Sequence, residues 1–244
     1  LYKNGFLLRL LSRSIEKQNF KNDIEVIQGD LFNTNILEAA IDGCDGVHIS
    51  ISGNEEALAT ELIVKYAKQY NVQIISKVSG CTVLEENRWY DMIDEKFRSE
   101  SIIKKSGIPY LIFKPTWFYD TLEKFIRDGK AAVFGKQKHK YHWLAASDFG
   151  EMVANAYRNV NMRNEMFYLY GSDEYRLDEI LNKYCKVFHP EIKKISILPI
   201  PLMKLIAFLT KNNQLKEVVK MFAYFKSTPE PHLTLQGDML LGRS

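Results

Sequence analysis

Lys96 and Glu100 stand four residues apart in Asp91-Met92-Ile93-Asp94-Glu95-Lys96-Phe97-Arg98-Ser99-Glu100, so a helix there puts them on one face. The plain reading of such a lysine is a surface partner of Glu100, worth a few tenths of a kcal/mol. Ser52-Gly53 and Ser79-Gly80 each close a run of apolar residues, and Thr116-Trp117-Phe118 follow a third run closed by Pro115. Open α/β sheets take ligands beyond the carboxyl ends of their strands, which makes these positions candidates for binding. Each has a plainer reading: Ser79 as a capping hydroxyl, Trp117 and Phe118 as packing residues. Asp30 ends a run from Ile24 and is either a ligand acceptor or a turn aspartate.

Other chemistry is disfavoured by spacing. His48, His139, His142, His189 and His232 show no ligand pattern, and Cys44, Cys81 and Cys185 are an odd, scattered set, so no metal site is expected. Reduced cysteines suit a cytoplasmic chain. With 33 Lys plus Arg against 30 Asp plus Glu, the net charge of +3 is dispersed, and no nucleic-acid partner is expected. Lys136-Gln137-Lys138-His139-Lys140 reads as a solvated loop. No apolar run is long enough to span a membrane, and Ile200 to Leu209 reads as a docking helix. The 244 residues, 46% hydrophobic and 26% charged, have the balance of a folded globular protein.

The elements that would position these residues alternate. Apolar runs at Phe6–Leu11, Ile24–Ile27, Gly46–Ser52, Val72–Ser79 and Pro109–Lys114 suit strands buried on both faces. Between them lie helical patterns: Ile36, Leu37, Ala40 and Ile41; then Leu58, Leu62, Ile63 and Tyr66; then Phe97, Ile102 and Ile103, closed by Ser106-Gly107. The alternation predicts an α/β chain with a doubly wound, mostly parallel sheet. Further on, a helical piece is expected over Thr116–Arg127. Strands are expected around Ala131–Phe134, Tyr141–Ala145, Met166–Tyr170 and Ile195–Leu198. A helix opens at Ser147-Asp148, another covers Leu177–Val187, and two within 199–225 are separated by Lys211-Asn212-Asn213. Residues 1–128 are taken as the core and 129–244 as a smaller α+β lobe.

A dinucleotide sheet opens with a strand, a glycine-rich turn and a helix that receives the pyrophosphate. No G-x-G-x-x-G occurs here, and Gly43-x-x-Gly46 precedes a strand instead of following one. Tyr2-Lys3-Asn4-Gly5-Phe6 reads as a helix end, a glycine cap and the start of a second strand. The first strand and its glycine turn are therefore expected upstream of residue 1, with the chain a fragment.

Several stretches resemble the NmrA-like atypical short-chain dehydrogenases, whose fold is Rossmann-like. Gly5-Phe6 through Arg9-Leu10-Leu11-Ser12-Arg13-Ser14 is similar to their second strand and turn, and Val26-Ile27-Gln28-Gly29-Asp30-Leu31 to their third. Leu37 through Gly43-Cys44-Asp45-Gly46-Val47 resembles the helix leading to strand four. Lys96-x-x-x-Glu100, Ser106-Gly107-Ile108-Pro109-Tyr110, Lys114-Pro115-x-x-Phe118 and Ala145-Ala146-Ser147-Asp148-Phe149-Gly150 continue the order, with Lys114 where the family has Arg.

The resemblance implies NADPH as cofactor in preference to NAD. Arg13, after the second strand, would grip a 2′-phosphate, and no acid at Ser12–Ser14 offers itself to a ribose diol; a solvated arginine is the alternative. Asp30 and Leu31 fall on the adenine side. Ser52, Gly53, Ser79, Pro115, Thr116 and Phe118 fall on the cofactor side of the later strands. Lys96 matches the lysine that reaches the nicotinamide ribose. The tyrosine expected four residues earlier is Met92, and Tyr90 lies roughly 240° round an ideal helix from Lys96. Two chemistries remain open: hydride transfer to a quinone-like acceptor without a protein acid, or Lys96 itself as the acid. The expected activity is NADPH-dependent reduction of a small carbonyl or quinone. The alternatives are a non-catalytic NADP sensor that reports by binding a partner and an assembly subunit that keeps the dinucleotide for structure; a homodimer or a regulatory protein partner is the expected association.

Overall fold

The computed structural model describes residues 1–15, 20, 23–231 and 236–242. His232 and the closing Arg243-Ser244 lie outside them. In chain order the elements are β1 (Arg9–Ser12), β2 (Glu25–Gln28), α1 (Thr34–Ile41), β3 (Gly46–Ile49), α2 (Glu56–Gln69), β4 (Ile74–Val78), α3 (Asp91–Lys104) and β5 (Tyr110–Pro115). There follow β6 (Trp117–Phe118), β7 (Ile126–Arg127), β8 (Lys130–Phe134), β9 (Tyr141–Leu144), α4 (Ala146–Arg158), β10 (Glu165–Leu169) and β11 (Glu174–Tyr175). The chain closes with α5 (Leu177–Phe188), β12 (Ile195–Leu198), α6 (Ile200–Leu209), α7 (Asn213–Ser227) and α8 (Gly237–Leu241). These form two compact units. The first comprises Leu1–Pro115, Ser147–Leu169 and Leu235–Ser244; the second comprises Thr116–Ala146 and Tyr170–Thr234.

In the first unit β3, β4, β5 and β10 form a parallel sheet in the order β10-β5-β4-β3, and β1 pairs with β2, also in parallel. Alternate side chains serve opposite faces. Ile49 of β3 and Ile75 of β4 join Leu37, Ile41, Ile63, Ala67 and Ile103 from α1, α2 and α3 in one core. On the other face His48 and Ser76 are bonded at 2.6 Å, Ser76 meets Tyr157 of α4 at 2.6 Å, and Phe113 packs on Phe149 and Phe167. Helices thus cover both faces, and the doubly wound parallel sheet read from the apolar runs is present. Gly5 caps a 3-10 turn at Tyr2–Asn4 with φ +83°, a left-handed value that glycine takes without cost.

Two local readings need correction. Leu58 is 49% exposed, because the buried stripe of α2 runs through Glu56, Thr60, Ile63, Val64 and Ala67, on which Leu58 does not fall. Thr116–Arg127 is no α-helix. Trp117 and Phe118 pair with Trp143 and Leu144 as strand β6, a 3-10 stretch covers Tyr119–Phe125, and β7 follows. Aromatic residues beside a partner strand gain more from pairing and packing than a helix would return.

The second unit is α+β. Its sheets run β11-β9-β6 and β12-β8-β7, each mixing parallel and antiparallel pairs. Leu122, Val133, Trp143, Leu181, Cys185 and Phe222 make its core. Ile200 and Met203 of α6 pack with Val219 of α7, while Leu202, Leu205, Phe208 and Leu209 face outward. Among the described residues no helix is long and apolar enough to cross a membrane.

Candidate functional site

Toward the carboxyl ends of β4 and β5 stand two buried lysines, Lys77 and Lys114. After β3, Ser52 is exposed and Gly53 takes φ +137°, a value that L side chains rarely adopt, which turns the chain into α2. Glu56 occupies the first turn of that helix, where the dipole favours a carboxylate. The Ala57 N–H donates to Glu95 Oε2 of α3 at 2.9 Å, tying the start of α2 to its neighbour. Thr60 and Ser99 join hydroxyls across the same seam at 2.5 Å.

Glu56 is held from two sides. Lys77, a charged residue inside the apolar strand β4, donates to its Oε1, and both side chains are 0% exposed. Lys96 of α3 donates to Oε2 at 3.0 Å and lies 3.3 Å from Ser52 Oγ, with its side chain 12% exposed. Burial pushes the Lys77 ammonium below its ordinary pKa; Glu56 opposes the shift and Lys96 adds to it. A buried carboxylate and ammonium each cost several kcal/mol to desolvate, so neither tolerates loss of the other.

Glu100 is not the partner of Lys96, contrary to the plainer sequence reading. It accepts from Ser79 Oγ and pairs with Lys114 of β5 at 3.1 Å. Lys114 also donates to the Val83 carbonyl at 2.8 Å and sits 5.2 Å from the Tyr168 ring. A buried lysine on the strand competes better for Glu100 than a helix neighbour does, because its charge has no water to turn to. The Ser79 hydroxyl is thereby committed inward.

The remaining sequence candidates fall in both units. Arg13 is exposed on the turn after β1, its carbonyl accepting from Gln28 Nε2 at 3.3 Å. Asp30 Oδ1 accepts the Phe32 N–H at 3.0 Å, the turn role offered as its alternative, and Leu31 packs against the core of the first unit. Pro115 is buried, its carbonyl accepting the Cys81 N–H at 3.0 Å. Thr116 and Phe118 belong to the second unit. Thr116 Oγ1 bonds the His142 carbonyl at 2.7 Å and also the Glu230 carboxylate. The Phe118 carbonyl accepts from Thr121 at 2.6 Å. Trp117 packs on Trp143 and Phe225. Within the first unit the structure gathers Ser52, Gly53 and Lys96 at one edge and leaves Arg13 and Asp30 in the turns after β1 and β2; Thr116 and Phe118 belong to the second unit.

Sequence reasoning missed Glu56 and Lys77. A lysine within Ile74-Ile75-Ser76-Lys77-Val78 was the available signal, since a strand buried on both faces needs a counter-ion for it. It also missed the pair of His142 Nδ1 with Glu230 Oε2 at 2.6 Å in the second unit. Helix α3 begins at Asp91, so Tyr90 is its N-cap residue, and Met92 is the residue one turn before Lys96. Among the described residues no group of three His, Cys, Asp or Glu could hold a metal ion.

A family model described as NAD(P)H-binding matches residues 1–156. A photosystem II assembly factor from Trieres chinensis is 22% identical over 218 residues, spanning 83% of this chain and 68% of that protein. Among solved structures, a nucleoside-diphosphate-sugar epimerase from Staphylococcus aureus superposes with TM-score 0.77 at 16% identity, over 100% of this chain and 89% of that one. Citrobacter sp. triphenylmethane reductase complexed with NADP(H) gives 0.73 at 17%, over 96% and 85%. An NADPH-dependent quinone oxidoreductase from Escherichia coli gives 0.67 at 16%, again over 96% and 85%. At these identities the structural likeness speaks for the fold.

Proposed function

This chain belongs to the NAD(P)H-binding family, and from that premise we propose that it is an NADPH-dependent oxidoreductase acting on a small carbonyl or quinone acceptor. The first unit serves the dinucleotide in this reading, and the second serves acceptor selection. The observation that carries it is Lys96 Nζ held 3.3 Å from Ser52 Oγ at the carboxyl edge of a parallel sheet. Ligands of such sheets bind at that edge.

The residues fit a dinucleotide. A Cβ built on Gly53 would meet nothing within 4 Å, so the backbone there is open to close approach. Beside it the Lys96 ammonium lies 3.3 Å from the Ser52 hydroxyl, a pair of groups suited to ribose oxygens. When bound, NADPH supplies the hydride. Lys96 holds the nicotinamide ribose, Arg13 meets the 2′-phosphate with its fork of donors, and Asp30 accepts from the adenine amino group. Met92 carries no proton to give, so the proton that completes reduction comes from Lys96 Nζ or from water.

The test is NADPH consumption on adding quinones and aldehydes to the purified protein. Turnover with either class supports the reading. Tight NADPH binding with no turnover of any acceptor overturns it and supports the second reading, a binding protein that senses NADP or assembles with a partner. Met92 and the relative that is an assembly factor favour that second reading.

A further inference from the structure

We propose that Glu56 is the positioning residue of Lys96, fixing its ammonium at the sheet edge through a carboxylate anchored by buried Lys77. The inference rests on the reading that Lys96 serves the dinucleotide.

Three observations carry it. Lys77 alone supplies the ammonium that the Glu56 carboxylate needs, and it is wholly buried with it. Lys96 is therefore surplus to neutrality, and its charge works against Lys77 rather than for it. A fold that needed only an internal ion pair gains nothing from placing a second ammonium on the same carboxylate. The second observation is direction: Oε2 of Glu56 takes Lys96 while Oε1 is occupied by Lys77, so the carboxylate cannot rotate away. The third is anchorage. Glu56 sits in the first turn of α2, its carbonyl accepts from Thr60 at 2.8 Å, and α2 is tied to α3 by Ala57–Glu95 and Thr60–Ser99. A lysine has four flexible bonds and forfeits that freedom when it holds a ligand. Lys96 has surrendered it in advance.

The test is a double-mutant cycle read as NADPH affinity by fluorescence titration, with a urea melt of every variant. Glu56→Gln alone strands the Lys77 charge and Lys77→Met alone strands Glu56, so the two are changed together. This paired change is introduced with Lys96 present and again with Lys96→Ala. We expect the paired change to weaken NADPH about tenfold when Lys96 is present and less than about twofold when it is absent, a coupling of the size seen for residues in one ion-pair network. Equal weakening in both backgrounds marks a structural role only and overturns the proposal, as does no weakening in either. If Lys96→Ala itself leaves NADPH affinity unchanged, the assignment of Lys96 fails and the positioning role falls with it. If Lys96→Ala weakens binding and the paired change does not, only the positioning role is lost.

Discussion

Lys96 and Glu100, one helical turn apart on α3, direct their charges to different strands: Lys96 to Glu56, which buried Lys77 of β4 holds, and Glu100 to Lys114 of β5. Two internal ion pairs thus brace α3 against the ends of the central strands, and one of them leaves an ammonium at the edge.

The stranding of Lys77 should be visible as stability. Glu56→Gln leaves an uncompensated buried ammonium and is expected to cost roughly 3–5 kcal/mol in a urea melt, whereas adding Lys77→Met to it should restore much of the loss. A loss under about 1 kcal/mol for Glu56→Gln, the range of exposed pairs, would show that water reaches the pair.

Lys77 also sets a pH dependence. Its folded pKa lies below the ordinary 10.5, so between the two values the unfolded chain binds more protons than the folded one. Stability from this residue therefore grows as pH rises through that window. The stability difference between the wild-type protein and Lys77→Met should shift in favour of the wild type with rising pH. A difference that stays flat or moves the other way contradicts the burial argument.

His48 gives the acid counterpart. Desolvation above all, with smaller contributions from the amino-terminal charge and then Lys77, lowers its pKa to about 4 from 6.5. The unfolded chain binds the extra proton between those values, so stability is lost as pH falls from 6.5 toward 4. The loss attributable to His48 reaches at most about 3–3.5 kcal/mol, and a His48→Gln variant should show a correspondingly flatter profile over the same range.

The proposed function assigns to Arg13 the choice of NADPH over NADH. Arg13→Ala should weaken NADPH binding by about tenfold to a hundredfold, the worth of charge-assisted bonds to a phosphate, and leave NADH binding unchanged. Equal effects on both would place the 2′-phosphate away from this turn.

Gly53→Ala isolates backbone strain. With open space around the added methyl and φ at +137°, the expected cost is about 1–3 kcal/mol with no steric clash. Weakened NADPH binding should accompany it, because the turn sets Ser52.

Strands β4 and β5 were legible because continuous apolar runs closed by glycine or proline mean burial on both faces. The candidates Ser52 and Gly53 followed from the same reading of the run before them, whereas Lys96 came from the family resemblance. What escaped was partner choice. Spacing puts Lys96 and Glu100 on one face, and only burial decides that Lys114 wins Glu100 and that Glu56, 40 residues from Lys96 in sequence, wins Lys96. The stretch from Thr116 misled for the same reason: its strand exists because Trp143 and Leu144 lie alongside, a contact between distant segments.

Single-turnover oxidation of bound NADPH by a quinone, compared between the wild-type protein and Lys96→Ala, bears most directly on the account. A working site predicts hydride transfer in the wild type and a fall of about a hundredfold in the variant, the contribution typical of a positioned acid or ribose anchor. Undiminished transfer by Lys96→Ala would contradict it.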